Sequence, residues 1–225
     1  GIMPVFHISL DNPWRLNKMP VRAVIFDFGG VLLRTEDQSG RARWEQRLGL
    51  APGALASTVF DSEVSHHATI GWASTDDVWA AVAQQYGLSD EDVRQLEQDF
   101  WSGDVLDSRL VDYIRELHPR YRTAILSNAW SDARQAFVEC YGLGDAVDEI
   151  IVSAEEGIAK PDPRIFHLAV ERLGVAPDEA VFVDDVPANV ESARACGMCG
   201  VHFRSREQAI ADVERCLNST PEVRD

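Results

Sequence analysis

Long apolar runs are missing from this chain of 225 residues. No stretch approaches the ~18 uninterrupted apolar residues of a membrane-spanning helix, so no bilayer location is expected. The opening segment GIMPVFHISLDNPWRLNK has neither a basic start nor an extended apolar core, which argues against a signal peptide. Residues 1–18 read instead as an N-terminal extension ahead of Met19, with Phe6 and Trp14 available to dock it on the body or on another chain. Basic charge is scarce too: 21 basic against 37 acidic side chains leave a net charge of −16. That field repels phosphate backbones and no local basic patch offsets it, so nucleic acid is not an expected partner. Cysteine is sparse, at four residues (Cys140, Cys196, Cys199 and Cys216). Such usage in an enzyme-sized chain suggests a reducing cytoplasm. Cys196 and Cys199 have the spacing of a redox or zinc pair, but no second pair accompanies them. They straddle a glycine where a helix should end and a strand begin, so small buried thiols are expected there.

What is present is enough for a core, since 45% of the residues are apolar. Five short apolar runs, Val21–Phe26, Thr123–Ser127, Ile150–Ser153, Val181–Val183 and Gly200–Phe203, read as strands buried on both faces. Helix signals lie between them. Ser131 is placed to cap a helix bearing Phe137 and Val138. Asp162 and Pro163 make an N-cap and first-turn pair, Ser205-x-x-Gln208 a capping box, and Gly197 a stop for the helix that begins near Pro187. Alternating strands and helices predict an α/β fold with a parallel, doubly wound sheet. The first two strands break the rhythm. Between them Arg41–Leu48, Pro52–Val59, Thr75–Tyr86 and Ser89–Trp101 all read as helices, with no strand competing. This predicts a core over residues 19–34 and 106–225 and a helical insertion over 35–105. The insertion leaves the sheet at the carboxyl end of its first strand, where ligands of such sheets bind.

Four chemistry-bearing signals fall at strand ends. Asp27 follows Val-Ile-Phe directly, and a carboxylate there is costly unless it is paired, hydrogen-bonded or bound to a metal. Ser127-Asn128 ends the second run; alone it is an ordinary turn pair. Lys160 stands in Ala-Lys-Pro-Asp-Pro, where a solitary lysine would be only a solvated charge. Asp184-Asp185 closes the Val-Phe-Val run, and two adjacent carboxylates favour a cation. Combined, Asp27 and Asp185 could hold one Mg²⁺, a hard ion that takes oxygen ligands. Asp184 would orient its waters or Lys160, and Lys160 would balance charge on the nucleophile and on a transferring group. Ser127 would bond a non-bridging oxygen, leaving Asp27 to attack and form an aspartyl intermediate.

With Phe26-Asp27-Phe28-Gly29-Gly30-Val31-Leu32, Leu126-Ser127-Asn128, Lys160-Pro161-Asp162-Pro163 and Phe182-Val183-Asp184-Asp185 in order, the chain resembles the haloacid dehalogenase-like hydrolase superfamily. The resemblance implies a Rossmann-like core with strand order 3-2-1-4-5 and an inserted helical cap. It also implies a role for each matched position. Asp27 would be nucleophile and metal ligand, Gly29 would offer its backbone carbonyl to the metal, and Asp185 would be the second metal carboxylate, with Asp184 beside it. Ser127, Asn128 and Lys160 would bind the phosphate. The implied enzyme is a Mg²⁺-dependent phosphatase of a small phosphorylated metabolite, cytoplasmic, a monomer or homodimer.

One position departs from the pattern. Phosphatase members usually carry a second Asp, a general acid and base, two residues after the nucleophile, and here that residue is Gly29. General acid–base help is worth ~10²–10⁴-fold. Three readings remain open. The chain is similar to sugar-phosphate phosphatases with Gly at this position, whose leaving groups need little protonation or draw a proton from a cap residue or water. A metal-independent 2-haloacid dehalogenase would need no acid, although a tyrosine usually stands at Gly29 there and Asp184-Asp185 argues against it. A non-catalytic ligand-binding or regulatory member of the fold is the third. Substrate choice is expected in the cap, where His66, His67, Trp72, Trp44, Arg41 and Arg43 are candidates. Each has a plainer alternative: the tryptophans as cap core, the arginines as solvated charge, and the histidines as loop surface. Gly29–Thr35 is expected to form the flap that enters the cap.

Overall fold

The computed structural model describes residues 20–218; the extension with Phe6, Trp14 and Met19 lies outside them. Five parallel strands form the central sheet. They are β1 (Ala23–Phe26), β4 (Arg122–Ser127), β5 (Glu149–Val152), β6 (Ala180–Asp184) and β7 (Cys199–His202). Their order across the sheet is β5-β4-β1-β6-β7, the expected 3-2-1-4-5 when only core strands are counted. Successive residues face opposite sides, and the sheet buries both. Val24, Phe26, Ile125, Val181 and Val183 pack under α6 (Ser108–Leu117) and α11 (Arg206–Leu217). Ala23, Ile25, Leu126 and Phe182 pack under α9 (Pro163–Leu173) and α10 (Pro187–Ala195).

The caps explain where several helices start. Asp162 accepts from the Arg164 amide with Pro163 in the first turn of α9, and Ser205 and Gln208 close a capping box on α11. The Ser131 cap is corrected. That helix, α7 (Ala133–Gln135), begins behind Asp132 without a side-chain cap and runs on into a π turn over Ala136–Cys140. Asp132 is engaged elsewhere: its Oδ1 accepts from Thr75 Oγ1 at 2.6 Å.

Between β1 and β4 the chain builds the helical cap: α1 (Ser39–Leu48), α2 (Ala54–Phe60), α3 (Glu63–Thr69), α4 (Thr75–Tyr86) and α5 (Asp90–Trp101). Trp44, Leu55, Val59, Val78, Trp79, Leu96 and Phe100 form its own core. Two expectations fail here. His66 and His67 lie on a helix, α3, whose Ser62 cap the sequence reading passed over. The insertion is also not free of strands. Leu33–Thr35 (β2) pairs antiparallel with Asp104–Leu106 (β3), making a two-stranded neck at the joins to the core. Strands of three residues are too short to display an alternating pattern, and their pairing is a long-range event. The expected flap is therefore a turn at Gly29-Gly30 followed by β2, with the Gly30 amide donating to Leu33 O at 2.9 Å.

The cysteine expectation is corrected as well. Cys199 and Cys216 form a disulfide between β7 and α11, Cys140 is exposed and Cys196 half-buried. Spacing pointed to Cys196 with Cys199, whereas the edge strand brings Cys199 to the end of α11. No helix among the described residues is long and apolar enough to cross a membrane.

Candidate active site

The register of the sheet assembles the site. Phe26 pairs with Ile125 on one side and Val183 on the other, so Asp27 and Asp184, one residue further on, and Ser127, two residues further on, emerge together at the carboxyl edge. The Asp27 amide still donates to Val183 O, at 2.8 Å. Lys160 enters from the loop before α9. Its Nζ lies 2.7 Å from Asp27 Oδ1 and 2.7 Å from Asp184 Oδ2, with all three side chains almost wholly buried. Lys160 is one of two lysines in the chain, the other being Lys18. A compact ammonium fits between two carboxylates at this separation where a planar guanidinium fork does not.

Each carboxylate is held differently. Asp27 Oδ1 also accepts the Phe28 amide at 2.7 Å, while its Oδ2 accepts no hydrogen bond from a described residue. Asp184 is fully buried and saturated: beside Lys160 it accepts Asn189 Nδ2 on both oxygens (3.1 and 3.0 Å) and the Val186 amide at 2.7 Å. Asp185 is the most open of the three, and carboxylate oxygens of Asp27, Asp184 and Asp185 come within 4.8 Å of one another. The Asp185 carboxylate rests directly on Gly30. A Cβ there would meet Oδ2 at 2.2 Å, and Gly30 also has φ +80°, so two constraints require glycine. Gly29 carries neither. Its backbone lies outside the left-handed region and an added Cβ meets nothing within 4 Å.

The electrostatics are those of a site short of positive charge. Burial pushes the Asp27 carboxyl up to about 7 against the pull of Lys160, with Asp184 pushing further. Burial and then Asp184 raise Asp185 in the same way. Three hard carboxylates with one ammonium suit a divalent oxygen-loving cation, and Asp27 and Asp185 have the unengaged oxygens to hold it. The donor set thus fits Mg²⁺.

Ser127 is buried at the end of β4 beside Asp27. Asn128 has a job that its sequence position did not announce. Its Nδ2 donates to Lys160 O and its Oδ1 accepts the Lys160 amide, both at 2.8 Å, which clamps the loop carrying the lysine. Asn189 and Ser153 were missed by sequence reasoning. Ser153 Oγ accepts the Ala129 amide at 3.0 Å and donates to Thr69 O at 2.6 Å, tying the Ser127 loop to the cap. A serine at a strand end carries no signal of a partner so distant in sequence. Among the cap candidates Trp44 is core, with its Nε1 on Asp99 at 2.9 Å. Arg41 lies over the Phe100 ring and bonds Phe100 O, and Arg43 pairs with Asp99. Trp72 is 75% exposed against His67. None of these six is joined to the carboxylate cluster by a hydrogen bond or ion pair.

The model of the haloacid dehalogenase-like hydrolase family matches residues 21–197. The chain belongs to that family. This hydrolase is 27% identical over 220 residues to bifunctional epoxide hydrolase 2 of Sus scrofa, covering 88% of this chain but only 39% of that protein. It is 28% identical over 189 residues to D-ribitol-5-phosphate phosphatase of Bacteroides thetaiotaomicron, covering 79% of this chain and 89% of the relative. A family enzyme of Bacteroides thetaiotaomicron solved with magnesium and inorganic phosphate shares the fold, with TM-score 0.70 and 18% identity over 83% of this chain and 96% of that one. L-2-haloacid dehalogenase of Xanthobacter autotrophicus with chloropropionic acid covalently bound superposes with TM-score 0.61, at 26% identity over 89% of this chain and 84% of that one.

Proposed function

We propose that this hydrolase is a Mg²⁺-dependent phosphatase that cleaves a small phosphorylated metabolite through an aspartyl-phosphate at Asp27. One observation carries the reading: three carboxylates converge within 4.8 Å around a single ammonium, Lys160. That surplus of negative charge is useful when a cation and a phosphate dianion share the site. Asp27, Asp185 and the carbonyl of Gly29 would hold Mg²⁺, which when bound neutralises the phosphoryl oxygens. Lys160 balances the charge on Asp27, which would give one carboxylate oxygen to the ion and attack phosphorus in line with the other. Ser127, at the end of the neighbouring strand, donates to a non-bridging oxygen. Asp184 is the anchor of Lys160, and Asn128 holds the lysine's backbone. The helical cap covers the carboxyl edge, which favours a metabolite over a polymer.

Haloacid dehalogenation is the second reading, favoured by Gly29, because halide leaves unprotonated. The carboxylate trio weighs against it, since that chemistry has no use for a cation. Phosphate release from para-nitrophenyl phosphate, with and without Mg²⁺, tests the proposal. Expected is Mg²⁺-dependent turnover that D27N abolishes. Halide release from a 2-haloacid without metal would install the second reading instead. Silence in both assays with intact Mg²⁺ binding would leave a ligand-binding member of the fold.

A further inference from the structure

The carboxylate that completes the cation site is set by a residue on the edge strand. Asp184 is immobilised by its own side-chain bonds, but among the described residues the Asp185 carboxylate is held only by its own backbone amide. Its direction follows from the peptide that bears it and from the Gly30 surface beneath. That peptide is gripped from β7. The Phe203 amide donates to Asp184 O at 2.9 Å, and His202 Nε2 lies 3.0 Å from Asp185 O. A carbonyl only accepts, so Nε2 carries the hydrogen. His202 is itself held, because Gln208 Nε2 donates to its backbone oxygen at 3.1 Å from the capping box of α11. Gln208, His202 and Asp185 thus form a chain of hydrogen bonds from α11 to the rim of the site.

The geometry points to His202 as a positioning residue for the cation site: its Nε2–H fixes the Asp185 peptide and thereby aims the Asp185 carboxylate at the ion shared with Asp27. It touches neither ion nor substrate. The inference rests on the Mg²⁺ reading above and adds a residue that none of the sequence motifs contains. Groups that orient a metal ligand from behind typically matter ~10–100-fold in metal affinity.

The test is calorimetric titration of the phosphate-free protein with Mg²⁺ at one fixed pH, comparing wild type, His202→Leu and His202→Gln. The glutamine keeps a side-chain N–H donor in the same direction; leucine has none. Expected is Mg²⁺ binding weakened about tenfold or more in H202L and restored to within about threefold of wild type in H202Q. In turnover assays the loss should fall on the Mg²⁺ concentration for half-maximal rate, with kcat recovering as the ion saturates. Should H202L fail to fold by thermal melting, His202→Phe, which keeps a planar ring without the donor, makes the same comparison. Unchanged Mg²⁺ affinity in the donor-less variant overturns the inference, as does equal loss in H202Q, which would assign the effect to ring packing. If wild type itself binds no Mg²⁺, the metal reading fails and takes this inference with it.

Discussion

Replacing Gly29 with Asp restores the acid that the family's phosphatases usually carry, and the structure says the fold will accept it. The backbone there needs no left-handed angle, the position is exposed, and the new Cβ has open space around it. Folding stability should therefore change by no more than about 0.5 kcal/mol, with the lost freedom of glycine in the unfolded chain acting in the variant's favour. The chemical effect should depend on the leaving group. An alkoxide leaves poorly without a proton, so a correctly placed acid is worth ~10²–10⁴-fold on alkyl phosphates and little on a nitrophenyl ester. The added charge works against this gain. A fourth carboxylate beside Asp27, already pushed up to about 7, makes the nucleophile harder to ionise unless Mg²⁺ is bound. The assay is kcat/KM at saturating Mg²⁺ for a series of phosphate monoesters, plotted against leaving-group acidity. Wild type should show a steep dependence and G29D a shallow one, with at least tenfold gain on alkyl esters and under about threefold change on aryl esters. Parallel lines would refute the reasoning, because the missing acid would then not limit the slow substrates. The adjacent position is the control. Gly30→Ala drives a methyl into the Asp185 carboxylate at positive φ and should lower Mg²⁺ affinity and melting temperature together.

Three further outcomes follow from the same geometry. Lys160→Met strips the only ammonium from Asp27 and Asp184 and should cost about 3 kcal/mol in denaturant unfolding. Because Lys160 holds the Asp27 carboxyl down, that deficit should grow from pH 5 to pH 8, and a deficit that shrinks over this range would contradict the assignment. Asp107→Asn weakens the buried cluster in which Arg34 and Arg206 bond the Asp107 carboxylate at 2.8 and 2.7 Å. Burial opposes ionisation there, but the two arginines hold the Asp107 carboxyl below its usual range. Its contribution, about 2 kcal/mol, should be present at neutral pH and disappear as acid protonates the wild type, so the two melting curves should converge below about pH 3. Thiol titration of the unfolded, unreduced protein should find Cys140 and Cys196 reactive and Cys199 and Cys216 only after reductant; four thiols before reduction would remove the disulfide.

The sequence by itself determined the layered fold and the principal candidate residues of the site. Five apolar runs, the Asp162-Pro163 and Ser205-x-x-Gln208 caps and the glycine stop at Gly197 are local signals, and a strand or helix end is decided by local chemistry. Asp27, Ser127 and Asp184-Asp185 were legible because each lies at the end of an apolar run, whereas Lys160, in a loop, stood out only in company with them and through the ordered motifs. Tertiary structure alone decided how those residues are used. The Lys160 bridge, the Asn128 clamp, the Ser153 tie to the cap and the His202 bond to Asp185 O join segments far apart in sequence, and no residue type announces such a partner. The neck of β2 and β3 and the Cys199–Cys216 pairing were misread for the same reason: each is specified by which backbones the sheet brings together. Gly29 and Gly30 show the division within one dipeptide. The sequence sets two identical residues side by side, and only the fold reveals that Gly30 is required by the Asp185 carboxylate while Gly29 stands over open space.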